Sequence, residues 1–397
     1  MNVPKLRFKE FTDEWNTVDL SKTFNYFSTN SLSREKLANN GIIKNIHYGD
    51  IHKKYGCVVD IDKEVSSYIK DLNYNNIYEK CRNNDLIFAD ASEDYDGIGK
   101  AIEIINVNES IVSGLHTILA RDKSKAFSPM FKGYYFNSPI IHNQIRVQAN
   151  GFKVFGISKE TINSLNAKIP NKEEQTKIAN FLSLLDKKIE LQTKKIEDLK
   201  LYKKGLLEKQ FNENYQEISL KNILKERKEY SEKGLEYPHV TLSKDGIYDK
   251  GERYNRDFLV KSNSKEYKIT KLNDLCYNPA NLKFGVICLN EYGSAIFSPI
   301  YITFEINKIA NPLYIKYYTS RNNFINAVRK YEQGTVYERM SVSPEDFLKF
   351  SIKLPKLATQ NKIVKRITNF DKKIDLEEKK LIKLQELKKG LMQSMFV

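Results

Sequence analysis

The stretch Pro170–Phe211, PNKEEQTKIANFLSLLDKKIELQTKKIEDLKLYKKGLLEKQF, returns 185 residues later as Pro355–Phe396, PKLATQNKIVKRITNFDKKIDLEEKKLIKLQELKKGLMQSMF. Seventeen of the 42 aligned positions are identical, which is well beyond what a shared richness in lysine produces. Among them are Gln175/Gln360, Lys177-Ile178/Lys362-Ile363, Asp186–Ile189/Asp371–Ile374 and Lys203–Leu206/Lys388–Leu391. Apolar residues fall at alternating steps of four and three in both copies. The first has Ile178, Leu182, Leu185, Ile189, Ile196, Leu199 and Leu206; the second has Ile363, Ile367, Phe370, Ile374, Leu381, Leu384 and Leu391. Such spacing puts one stripe on one helix face, the seam of a coiled coil.

Gln192 and Glu377 interrupt the two seams at the same step, as do Lys203 and Lys388. Polar residues in those slots fix register or orientation at some cost in stability. A helix of ~35–40 residues at ~1.5 Å each is a rod of roughly 50–60 Å. A second globular segment lies between the copies, so an antiparallel helix pair is expected; two helices packed each on its own domain is the alternative. Asn171 with Glu174 reads as a capping box at the first helix start, and the second start, near Lys356–Thr359, is less clearly signalled. Gly205 and Gly390 remain in phase with Leu206 and Leu391 and read as points of close approach rather than stops.

The duplication extends upstream in the same order. Trp15, Val18 and Leu20 answer to Tyr215, Ile218 and Leu220; Asp85–Phe88 answers to Asp274–Tyr277; Tyr134-Tyr135 answers to Tyr317-Tyr318. Short runs rich in β-branched and aromatic residues, such as Leu86–Ala91, Ala101–Val107, Ile111–Arg121 and Tyr301–Ile306, read as strands. One helix is expected over Ser128–Gln144 and its counterpart over Asn311–Lys330. The fold class is α+β: two similar mixed α/β domains, 1–165 and 212–350, each followed by a long helix, 166–211 and 351–397, the helices pairing as an antiparallel coiled coil. Tyr134-Tyr135 and Tyr317-Tyr318, among apolar neighbours at helical spacing, read as core residues. The helices stay alike while the domains diverge, as expected if the helices share one job and the domains perform two different ones.

A formal charge of +15 and a pI near 9.2 favour a polyanionic partner, with nucleic acid first. Cys57, Cys81, Cys276 and Cys288 form no CxxC pair or metal-spaced cluster, which suits a reduced compartment without structural zinc. No run of about 18 apolar residues occurs, so a cytoplasmic protein without a membrane span is expected.

Twenty-four tyrosines interleave with Lys, Arg and Asn, notably in Ile46–Tyr55 and Lys250–Arg256. Both stretches look loop-like and basic, suited to neutralising phosphates and reading base edges. The DNA-binding candidates are Tyr48, Lys53, Lys54, Arg146, Lys153, Arg253, Tyr254, Arg256, Arg329 and Arg339. Arg146 and Arg329 occupy matching places before Gly151 and Gly334, in what read as loops preceding the long helices.

No catalytic or metal residue is singled out. Gly97–Ala101 lacks the upstream Gly and the hydroxyl of a phosphate loop. Asn278-Pro279-Ala280-Asn281 lacks the second proline and the aromatic of an adenine methyltransferase motif. Pro344-Glu345-Asp346 reads as a helix start rather than part of a nuclease site. The residues describe a chain that binds without catalysing; a stand-alone methyltransferase or nuclease, and a coiled-coil scaffold with protein-binding domains, are the competing readings.

The whole chain resembles the type I restriction enzyme specificity subunit family. The resemblance is carried by Ile169-Pro170 and Leu354-Pro355, by Gln175-x-Lys177-Ile178 and Gln360-x-Lys362-Ile363, and by Asp186–Ile189 and Asp371–Ile374. The Lys-Lys-Gly endings and the opening from Pro4 through Trp15 carry it too. Lys356 and Thr359 depart from the family pattern at the second helix start. The resemblance implies two target recognition domains that dock in the major groove over the halves of a bipartite, asymmetric site in double-stranded DNA, with helices that set the gap. It also implies two adenine methyltransferase subunits on the helices and ATP-dependent restriction subunits beyond them. S-adenosylmethionine, ATP and Mg2+ would belong to those partners, and this chain would bind no cofactor.

Overall fold

The structure, a computed structural model, describes residues 3–70, 78–151, 154–232, 236–249, 266–331 and 341–397. The chain divides into two compact units: Met1–Lys194 with Glu378–Val397, and Lys195–Glu377.

In the first unit a five-stranded sheet runs in the order Phe24–Phe27, Thr117–Asp122, Leu86–Ala89, Ala101–Ile105, Val58–Asp60. Only the last pair is parallel. Every residue of Leu86–Ala89 is buried, as a central strand covered on both faces requires. A smaller sheet orders Ile111–Ser113, Lys44–Ile46, Tyr68–Ile69 and Leu37–Ala38. The run Ile111–Arg121, expected as one strand, is therefore two, broken at a corner where His116 takes φ +54°.

Helices α1 (Tyr48–Lys53), α2 (Phe131–Phe136) and α3 (Pro139–Gln148) flank these sheets. The single helix expected over Ser128–Gln144 is the pair α2 and α3. Asn137 ends α2 by donating to Gly133 O and Ala101 O, both at 2.6 Å. Ser138 is then extended because it precedes Pro139, the first residue of α3. Phe131, Tyr135 and Trp15 are buried with Phe396 in one aromatic cluster, with ring centroids 5.6–6.4 Å apart. Each such ring removed from water stabilises the fold by roughly 1.5–3 kcal/mol.

The second unit repeats the plan. Its sheet orders Leu224–Glu226, Ile302–Ile306, Leu275–Tyr277 and Ile287–Leu289, matching in sequence order the first four strands of its counterpart. Tyr230–Glu232, Glu266–Thr270 and Ala295–Phe297 form a second sheet, and Val240–Ser243 with Gly246–Asp249 a hairpin. The helix expected over Asn311–Lys330 is likewise two, α5 (Pro312–Thr319) and α6 (Asn322–Val328). The break falls at Arg321, which is extended and buried, its guanidinium 4.1 Å from the ring centroid of Tyr318 and 4.7 Å from that of Phe211. Pro344 opens a short helix, α7 (Pro344–Lys349), whose cap Ser343 accepts from Asp346 N.

Two long helices follow the globular parts: α4 (Lys172–Phe211, 40 residues) and α8 (Leu357–Ser394, 38 residues). Each is led in by a strand closing a two-stranded sheet with the start of its own half. Asn16–Val18 pairs with Ala167–Ile169, Val18 facing Ala167; Glu217–Ser219 pairs with Ser351–Lys353, Ile218 facing Ile352.

In the first unit Ile178, Leu182 and Leu185 share a buried cluster with Leu391, Met392, Met395 and Phe396, so the start of α4 meets the end of α8. In the second, Ile363, Val364 and Ile367 share one with Phe211, so the start of α8 meets the end of α4. Within each unit the helices run antiparallel, and all fourteen seam positions are buried or half-buried.

Three local expectations fail. Nothing stands within 4 Å of where a Cβ on Gly205 or Gly390 would be, so neither is a point of close approach. Asn171 does accept from Glu174 N at 2.9 Å, but the Glu174 carboxylate turns away from the cap. It receives Arg7 through two hydrogen bonds of 2.7 Å instead. The chain's opening is thereby fastened to α4, with Phe8 edge-on to Phe181. None of the described helices is long and apolar enough to cross a membrane, and all four cysteines are free thiols.

Candidate nucleic-acid interface

The stretch Ile46–Tyr55 is the last residue of a strand followed by α1, not a loop. His47 is buried and caps α1: its Nδ1 accepts from Gly49 N at 3.1 Å. Burial, with Arg34 nearby, holds the imidazole pKa below its ordinary 6.5, in keeping with an unprotonated, accepting Nδ1. Half-buried Tyr48 follows, its ring centroid 4.7 Å from that of His47, 5.2 Å from that of His116 and 6.1 Å from that of His52. His52 Nε2 donates to Ala91 O at 2.9 Å, and His116 Nδ1 lies 3.3 Å from Asp90 Oδ1.

Below this aromatic group Asp50 is buried and receives two cations, Arg34 Nη2 and Lys54 Nζ, each at 3.1 Å. Lys53 is exposed and makes no ion pair among the described residues. Together these side chains line an open hollow of about 310 Å³. Three cations against one buried carboxylate give it positive potential, suited to a polyanion. Arg34 reaches this cluster from the turn Arg34–Lys36, too far along the chain for any local pattern to have joined it to Tyr48, Lys53 and Lys54.

Arg146 is on α3 rather than in a loop. Its Nη2 pairs with exposed Asp96 at 3.0 Å and its guanidinium lies 4.7 Å from the ring centroid of Tyr95, whose hydroxyl donates to Arg146 O. The residue thus braces the Asp94–Gly97 turn while keeping about a third of its side chain exposed. Arg329 caps the end of α6 and is exposed, again outside a loop. Lys153, Arg253, Tyr254, Arg256 and Arg339 lie outside the described residues.

The residues repeated between the two halves have structural roles. Buried Gln175 accepts from Ser128 N at 2.7 Å and donates to Ala126 O and Pro170 O at 3.1 and 2.9 Å. Gln360 accepts from Asn311 N at 2.7 Å and donates to Ile309 O and Pro355 O at 3.0 and 2.8 Å. Each glutamine thereby docks its long helix on the loop before the paired helices. Both tyrosine pairs are buried, as their apolar setting suggested. Tyr135 and Tyr318 hydroxyls accept from Lys168 N and Lys353 N, at 2.7 and 3.3 Å.

A model of the type I restriction modification DNA specificity domain matches residues 12–201 and 212–386. Among solved structures, the type I restriction-modification system S subunit from M. genitalium matches with TM-score 0.55 and 15% identity, covering 100% of this chain and 99% of that one. A chain from a structure of complex assembly and conformational transition in the type I R-M system matches with TM-score 0.58 and 12% identity, covering 96% and 97%. At such identities the structural likeness speaks for the fold.

Proposed function

The chain belongs to the type I restriction-modification DNA specificity family, and from that premise we propose that it reads a bipartite, asymmetric DNA site without catalysing any reaction itself. Residues 1–165 and 212–350 act as the two target recognition domains, and 166–211 and 351–397 as the helical spacers. The observation that carries this reading is the contrast between a repeated frame and unlike surfaces. The glutamine docks and the strand closing each half recur in matching register. The arginine-lined hollow beside α1 is built from residues of the first half alone.

Two adenine methyltransferase subunits dock on the long helices, and restriction subunits join them. Leu191 and Leu376 occupy equivalent positions on α4 and α8 and are 58% and 57% exposed, which leaves matching apolar side chains on the two helices for partners to cover. S-adenosylmethionine, ATP and Mg2+ are used by those partners, and the assembly works on chromosomal DNA in the cytoplasm.

Mapping methylated adenines in a strain with and without this gene tests the proposal. A split motif of two short specified runs around a fixed unspecified gap, present only with the gene, is the expected result. An unchanged methylome, or a continuous motif, contradicts it.

A further inference from the structure

Arg34 is held in one orientation rather than moving freely as a surface charge. Just over half of its side chain is exposed, and Nη2 donates to Asp50 Oδ1 at 3.1 Å with His47 Nδ1 at 3.5 Å. A Cβ at Gly49 would come within 3.1 Å of that same Nη2, so the absent side chain leaves room for the guanidinium. Asp50 is 1% exposed and cannot swing away, so the fork inherits its orientation from a fixed point. Nη2 thus spends its two hydrogens on Asp50 and His47, and the donors left without a partner among the described residues are Nε and both hydrogens of Nη1.

A phosphate asks only for positive charge, which exposed Lys53 and Lys54 already offer, whereas a guanidinium held in one orientation suits acceptors of fixed geometry. A base edge with two acceptors supplies them. Guanine, with O6 and N7 side by side in the major groove, is the base that a free arginine fork matches. Lys53, which has no carboxylate beside it, suits the neighbouring phosphate.

The geometry points to Arg34 as a specificity-determining residue that donates to O6 and N7 of one guanine in the half-site read by the first unit, with Asp50 as its positioning residue. The assignment rests on the DNA-specificity reading and adds a base and a residue to it.

The test expresses the full chain with its methyltransferase subunits and maps adenine methylation for the wild type, Arg34→Ala, Arg34→Lys and Lys53→Ala. In Arg34→Ala one guanine of one half-site becomes degenerate, with about a tenfold to hundredfold loss of preference at that position, while the other half-site and the gap stay as they were. Arg34→Lys, which still donates to guanine O6 and N7, keeps part of that preference. Lys53→Ala lowers methylation evenly across sites and leaves the motif intact. Even weakening with an unchanged motif in Arg34→Ala, or a wild-type half-site without guanine, overturns the assignment. Failure of the broader reading is a different result: the wild-type complex would then methylate no split motif.

Discussion

Lys388 Nζ lies 2.5 Å from Asp186 Oδ1, and the same pair of sequence positions recurs as Lys203 beside Asp371. Each aspartate also takes a tyrosine hydroxyl, from Tyr134 at 2.9 Å and from Tyr317 at 2.6 Å. The lysines fill skipped slots in the seam, where they tie one helix to the other. The tyrosines tie the same carboxylates to α2 and α5. One Asp-Lys-Tyr cluster per unit therefore joins the two long helices and the globular part, which explains why Asp186–Ile189 and Lys203–Leu206 return almost unchanged in the second copy.

Lys388→Met leaves Asp186 half-buried and unpaired, and a loss of roughly 1–2 kcal/mol is expected. Combining it with Asp186→Asn recovers part of this, because Asn still accepts from Tyr134 and carries no charge. Urea unfolding of the four proteins of this cycle measures the coupling; strictly additive losses contradict a shared role.

Gln175→Ala strips three buried hydrogen bonds at once and leaves Ser128 N without its acceptor. The expected cost is about 2–4 kcal/mol. Gln360→Ala behaves alike if the docks are equivalent, and a difference above about 1.5 kcal/mol between the two variants speaks against equivalence.

Burial holds both His47 and His142 below the ordinary histidine pKa of 6.5. Between the lowered folded value and 6.5 the unfolded chain binds more protons. Their contribution to stability is therefore complete above pH 6.5 and is lost as the pH falls below it. Thermal unfolding of the full chain between pH 7.5 and 5.5 should show falling midpoints, and His142→Gln should flatten the fall. An equally steep fall in that variant excludes His142 as a source.

Inserting one heptad into α4 between Lys194 and Lys195, and another into α8 between Glu377 and Glu378, leaves both Asp-Lys-Tyr clusters intact. About 10 Å of added helix, at ~1.5 Å per residue, corresponds to roughly three base pairs at ~3.4 Å each. The gap in the methylated motif should grow by about that number, and an unchanged gap contradicts the spacer role.

The helices were legible in the sequence because their order is periodic: burial selects every third or fourth residue, and the two copies share that selection. The glutamine docks and Asp-Lys pairs were visible as repeats, though not as contacts. What was missed depends on pairings distant in the chain. Asn137 ends α2 through a carbonyl of Ala101, and Arg321 breaks the second helix by stacking on Phe211 and Tyr318. Glu174 turns from its cap to Arg7, and Arg34 meets Asp50, 16 residues further along the chain. Arg146 and Arg329 read as loop residues because Gly151 and Gly334 lie close behind them. In the structure α3 runs to Gln148.

The central claim is that the first domain alone specifies one half of the DNA site. Replacing residues 1–165 with the corresponding domain of a family member of different specificity, and sequencing the methylated adenines that result, tests it most directly. One half of the motif should change while the other half and the gap persist; a change in both halves, or in neither, contradicts the account.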